Sequence, residues 1–181
     1  MKPLLALCAL LTAGLLLTGA DRPHVNRAAL TAVEKNLDRR LETEVVESSL
    51  LLGMTRGVYL EGYGAVFTAE VNLASGPGIS AFRPKLTKDD IDRVRQKKLD
   101  RMAVLKKAMR ETLVSAAASL DTVPAEERIV VGVSLFHFSW EDTAGLPGQI
   151  VMLAQRRTLL DFQTGRRDRS TLESAVEVRE F

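Results

Sequence analysis

The sequence predicts an α+β fold, with a mostly antiparallel four-stranded sheet built from two hairpins and covered by one long helix. Three observations lead there. Strand-like segments come in pairs rather than alternating singly with helices. An apolar stripe at helical spacing runs for some thirty residues between the two pairs. The segment after Arg128 is apolar or small on both alternating faces, as a central strand requires. An N-terminal helix and short C-terminal helices complete the prediction.

The first helix is expected from Asn26 to about Glu47. Leu30, Val33, Leu37 and Leu41 recur at spacings of three and four and define one face, and Asn26 is a suitable N-cap. Its charged residues read as a solvated face. The first hairpin follows in Arg56–Leu73. Val58 and Leu60 flank Tyr59, Glu61-Gly62-Tyr63-Gly64 makes the turn, and Phe67, Ala69, Val71 and Leu73 alternate with Val66, Thr68 and Glu70. Ala74 to Leu86 reads as a loop broken by Gly76-Pro77-Gly78 and Pro84.

Thr87 caps the long helix, with Asp89 and Asp90 in its first turn. Ile91, Val94, Met102, Leu105, Met109, Leu113, Ala116 and Leu120 trace its stripe, which Lys98 interrupts. The first half of this helix is basic and is expected to project into solvent; the second half, small and apolar, is expected to be buried. Asp121 to Glu127 makes a turn. Arg128–Trp140 and Gln149–Ala154 form the second pair of strands, and Glu141–Gly148 connects them. A helix over Arg156–Phe162, ending near Gly165, and another starting at Ser170 or Thr171 close the chain.

The ends and the composition bound the function. Lys2, the apolar run Leu4–Leu17 and Thr18-Gly19-Ala20 have the layout of a secretory signal peptide cut after Ala20, leaving residues 21–181 as a single domain. An uncleaved anchor is the less fitting reading, because the run is shorter than the ~20 residues a spanning helix needs. Cys8 is the only cysteine. Leu7 is too bulky before it for lipidation, so it reads as one more apolar residue of the leader. The mature chain then has no thiol for a disulfide, a nucleophile or a metal. Losing Lys2 takes the formal net charge from +2 to +1. Near-neutrality and export argue against nucleic acid as a partner.

No strong catalytic motif is present. His24 and His137 lie far apart with no second ligand at metal spacing, so no metal and no cofactor is expected. His137, Ser139 and Glu141 cluster where a strand meets a loop and are weak catalytic candidates. The competing interpretation has Phe136, Phe138 and Trp140 packing on one side while His137 and Ser139 point to the other. Asp89-Asp90, Glu126-Glu127 and Glu141-Asp142 sit at helix starts or turns, where acids belong for capping reasons. Gly76-Pro77-Gly78 lacks the ending of a phosphate loop. Gly62, Tyr63 and Gly64 are the candidate binding residues, with two glycines placing an amphipathic ring at a hairpin tip.

The run Val-Tyr-Leu-x-Gly-Tyr-Gly-x-Val-Phe-Thr-x-Glu-Val within Arg56–Leu73, with the closing Val-x-Val-Arg-Glu-Phe, resembles uncharacterised exported proteins of bacteria. The resemblance implies a protein of the bacterial envelope and carries no activity. The lack of a catalytic constellation, the Gly-Tyr-Gly hairpin and the basic helix half lead to the expectation of a periplasmic or cell-envelope protein, non-enzymatic, that binds another macromolecule, with an envelope protein as the expected partner. Two alternatives stand beside it: a small exported hydrolase using His137 with a carboxylate, and a module that meets an anionic membrane surface through the basic half of the long helix.

Overall fold

Five strands form one mixed sheet in the order β1-β2-β3-β4-β5: β1 (Arg56–Leu60), β2 (Gly64–Val71), β3 (Arg128–Leu135), β4 (Gln149–Gln155) and β5 (Glu177–Glu180). The computed structural model describes residues 25–45, 51–77 and 85–181, without the side chains of residues 169 and 171. The leader, Cys8, His24 and part of the 74–86 loop lie outside them.

The expected four-stranded sheet needs two corrections. β2 and β3 pair in parallel, from Gly64↔Arg128 to Val71↔Leu135, whereas the β1–β2, β3–β4 and β4–β5 pairs are antiparallel. The reason lies in the connection: α2 (Lys88–Ser119) carries the chain back along the sheet before β3 starts. At 32 residues, α2 is about 48 Å long, well beyond the reach of an eight-residue strand. The second correction is β5. Glu177-Val-Arg-Glu180 has a single apolar residue and no alternation, so only its pairing with β4 makes it a strand. β3 also stops at Leu135 rather than Trp140, because Phe136 to Phe138 leave the sheet to pack on one another.

Local signals placed the helices well. α1 (Arg27–Arg40) starts where Asn26 Oδ1 accepts the Ala28 amide at 2.8 Å. A single π-turn over Leu41–Val45 follows it, and both terminal residues of that turn remain buried. α2 opens with a full capping box, in which Thr87 and Asp90 satisfy each other's backbone amides. α3 (Arg156–Gln163) and α4 (Arg169–Ala175) follow β4.

The core forms where one face of the sheet meets the helices. Ala65, Phe67, Ala69 and Val71 of β2, Ile129, Val131, Val133 and Leu135 of β3, and Ile150, Met152 and Ala154 of β4 point to that side. Leu30, Val33 and Leu37 of α1 and Met102, Leu105, Met109 and Leu113 of α2 pack against them. The basic half of α2 departs from expectation at one position. Lys98 lies between Val94 and Met102 at i,i+4 spacing, on the buried stripe, and is fully inaccessible.

Candidate functional site

Lys98 leads to the group around His137. Its Nζ donates to Glu141 Oε2 at 2.5 Å and to the Phe136 carbonyl at 2.9 Å, and it lies 3.4 Å from His137 Nδ1. His137 Nδ1 is 3.5 Å from the same carboxylate oxygen, and Nε2 is 3.2 Å from the Pro147 carbonyl. The Pro147 carbonyl only accepts and so places a proton on Nε2, while Nδ1 faces both the Lys98 ammonium and the Glu141 carboxylate. Both ring nitrogens of His137 are thus engaged by buried or backbone groups, with Lys98 beside Nδ1.

Glu141 has a side chain only 2% exposed, and its Oε1 is buried with no hydrogen-bond partner in the structure. Ser139 is exposed on the turn and takes no part in the group. The loop's second carboxylate, Asp142, lies 3.6 Å from Arg95 Nε, which also donates to the Ala144 carbonyl at 2.8 Å. Glu141 and Asp142 thus hold two basic residues of α2. Above them Phe136 and Phe138 meet edge to face at 4.9 Å, and Phe138 stacks on Trp140 at 5.6 Å. The sequence marked His137 and Glu141 as neighbours. It missed Lys98, whose only signal was a charge on an apolar stripe.

The hairpin tip is held as firmly. Gly62 and Gly64 both have positive φ, at 77° and 134°. Tyr63 between them is 40% exposed, with the Arg128 guanidinium 5.6 Å from its ring centre. Its carbonyl accepts the Arg128 amide at 2.9 Å. Gly64 itself is buried in β2. Glu127, unmarked in the sequence beyond a turn carboxylate, ties the tip down: Oε1 accepts from Gly62 N at 3.0 Å and from the Tyr59 hydroxyl at 3.2 Å.

Burial of the Tyr59 ring, then the hydrogen bond and charge of Glu127, then the charge of Glu61, push the phenol up to about 12 from an ordinary value near 10. A raised acid constant favours the neutral phenol in the folded state. Its contribution to stability is complete below pH 10 and is lost as the pH rises through about 12. Ultraviolet titration is expected to show a tyrosine ionisation at about pH 12 that is missing in Tyr59→Phe. A single step near the ordinary value in the wild type would contradict this environment.

The sheet side away from the helices forms the third feature. Registers place Val58, Val66, Val130 and Leu153 in one row across it and Arg56, Thr68, Gly132 and Val151 in the next. Val130 and Leu153, in the middle of this side, are buried at 5% and 6% although they lie outside the main core cluster, so exposure is confined to its β1 margin. Exposed apolar side chains gather toward β1: Val58 and Leu60 are about half exposed, and Leu52 and Met54 border the cleft over Thr68 and Ser134. Arg56 and Arg128 are exposed at its margins. The outer edge of β1, in contrast, is closed by α1. Gly57 donates to Glu34 Oε1 at 2.7 Å and accepts from Arg27 at 2.8 Å, and Thr55 N donates to Asp38 at 2.8 Å.

Most cations on the basic half of α2 are engaged. Lys88 pairs with Asp92, Arg93 with Asp90, Lys106 with Glu180 and Lys107 with Glu111, while Arg101 donates to the Leu73 carbonyl. Asp100 accepts from Gln96 Nε2 at 2.8 Å. Among the described residues no helix is long and apolar enough to cross a membrane, and no group of three potential ligands is placed to hold a metal ion. No family model matches the chain, and neither a curated protein nor a solved structure matches it.

Proposed function

We propose that this is an exported, non-enzymatic protein of the cell envelope that binds another protein through the apolar side chains exposed along its β1–β2 hairpin. The observation that carries the proposal is the exposure of Leu52, Met54, Val58, Leu60 and Tyr63 along the length of one hairpin, from Leu52 and Met54 beside Thr68 at one end to Leu60 and Tyr63 at the tip. Several exposed apolar side chains on one element, with a polar rim, mark contact surfaces more often than a single one does. Arg56 and Arg128 at the margins suit a partner segment whose apolar residues are flanked by carboxylates. The closed β1 edge leaves the face, rather than strand addition at β1, as the mode of contact.

The hydrolase reading has less support. His137 and Glu141 lie close together, but Lys98 sits beside Nδ1 and the exposed Ser139 stands outside the group. The membrane-surface reading is weakened by the ion pairs that already neutralise much of the basic half of α2.

A photo-crosslinking residue at position 60 tests the proposal in the native host, with position 103 on the exposed side of α2 as the control. One defined adduct with another envelope protein is expected from position 60 alone, and it should weaken when Arg56 and Arg128 are both changed to Glu. Equal adducts from both positions, or adducts only with a second copy of this chain, would overturn it. The same preparation reports the N-terminus. Asp21 is expected, and a retained Met1 removes the cleavage on which the export assignment rests.

A further inference from the structure

A cleft of about 330 Å³ opens on the helical side of the molecule, between the end of α1, the middle of α2, and α3 with α4. Its floor is apolar: Val114, Phe162 and Leu172, all packed on the core. Its rim is charged, and the charges are not equivalent. Glu111 is shared by two cations, with Oε2 2.5 Å from Arg40 Nη1 and Oε1 3.8 Å from Lys107 Nζ. Arg40 is held further by Glu44 at 3.2 Å. Arg110, one residue from Glu111, makes no hydrogen bond or ion pair among the described residues. The rim thus carries Arg40, Lys107 and Arg110 against Glu111 and Glu173, one net positive charge above an apolar floor.

We propose that this cleft binds a small amphipathic carboxylate, its chain on the Val114–Phe162–Leu172 floor and its head on the Arg110 guanidinium. The volume and the mostly apolar lining are those of a small-molecule site. A guanidinium presents a planar fork that matches a carboxylate, and its attraction is strengthened beside an apolar wall that excludes water. Glu173 on α4 repels an anionic head and directs it to the α2 side, where Arg110 stands. A half-open cleft of this size shelters a medium-length chain and leaves a long acyl chain partly in water. The site is on the opposite side of the sheet from the hairpin face assigned to protein binding, so the two proposals fail separately.

Isothermal titration of the mature chain with decanoate, below its micelle concentration, is the test. Saturable binding to one site is expected. Arg110→Gln, at the rim, should weaken it tenfold or more, and Val114→Trp, which fills the floor, should abolish it. Decyltrimethylammonium, with a comparable chain and the opposite charge, should bind at least tenfold more weakly than decanoate. Circular dichroism checks that each variant folds; should Val114→Trp fail to fold, Arg110→Gln and the cationic amphiphile decide the matter. The proposal is overturned by absent saturable binding, by a folded Val114→Trp that binds as the wild type does, or by tighter binding of the cation.

Discussion

Replacing Lys98 with methionine is expected to destabilise the protein by about 3–5 kcal/mol, because it leaves the Glu141 carboxylate buried without its cation. Both side chains are shut off from water, at 0% and 2% exposure, so solvent cannot take over the role of the ammonium. Oε1 of Glu141 already lacks a partner, and the substitution strips Oε2 of its closest one. The Phe136 carbonyl loses a donor as well. For a chain of this size the cost corresponds to a fall in melting temperature on the order of 10 °C. The double variant Lys98→Met, Glu141→Leu removes both charges and should recover most of that loss, since an apolar pair of similar volume often replaces a buried ion pair at little cost. Thermal melts followed by circular dichroism check both. A single variant that melts within a degree or two of the wild type would mean that the carboxylate finds water, contrary to the burial described.

Gly64→Ala should cost about 4 kcal/mol or more, among the largest effects available to a single added methyl group. A Cβ built on Gly64 meets the Arg128 carbonyl oxygen at 1.9 Å, a clash with backbone that no rotamer relieves. The φ of 134° adds strain for any L-residue. To accept the methyl, β2 must separate from β3 where their parallel pairing begins, at Gly64↔Arg128. Gly62→Ala is the control two residues away. Its φ is 77° and a Cβ there meets nothing within 4 Å, so only the left-handed backbone cost of about 1–2 kcal/mol applies. Urea denaturation of the pair separates the two mechanisms, and midpoints that fall equally would show that steric approach to Arg128 is not the constraint. The same comparison clarifies what the three tip residues do: Gly62 shapes the turn, Gly64 lets two backbones meet, and Tyr63 is the one that presents a side chain.

The candidate site was legible only in fragments. His137 and Glu141 are four residues apart and were visible as a pair. Their partner Lys98 is 39 residues from His137 and sits on another element, so nothing local announced it. Glu127 is a similar case, 68 residues from the tyrosine it binds and 65 from the glycine amide it caps. The exposed margin of the sheet was foreshadowed by the mixed pattern of β2, where Val66, Thr68 and Glu70 alternate with core residues. Which of those positions gather beside Leu52 and Met54 depends on registers that the sequence does not contain.

The sequence by itself determined the helices, their caps and the first hairpin, because these rest on interactions within a few residues: Asn26 with Ala28, Thr87 with Asp90, and Leu60 with Tyr63 around the glycine turn. It also determined which strand is central, since β3 is apolar on both faces. Tertiary structure alone decided the parallel pairing of β2 with β3, the existence of β5 and the burial of Lys98. Each of these depends on a partner brought close by packing: α2 reversing the chain, β4 offering its free edge to four mostly charged residues, and the 136–148 loop folding a carboxylate and two carbonyl groups around an ammonium and an imidazole. Periodicity reports which face of an element is apolar; it does not report which charge will find its counterpart on that face.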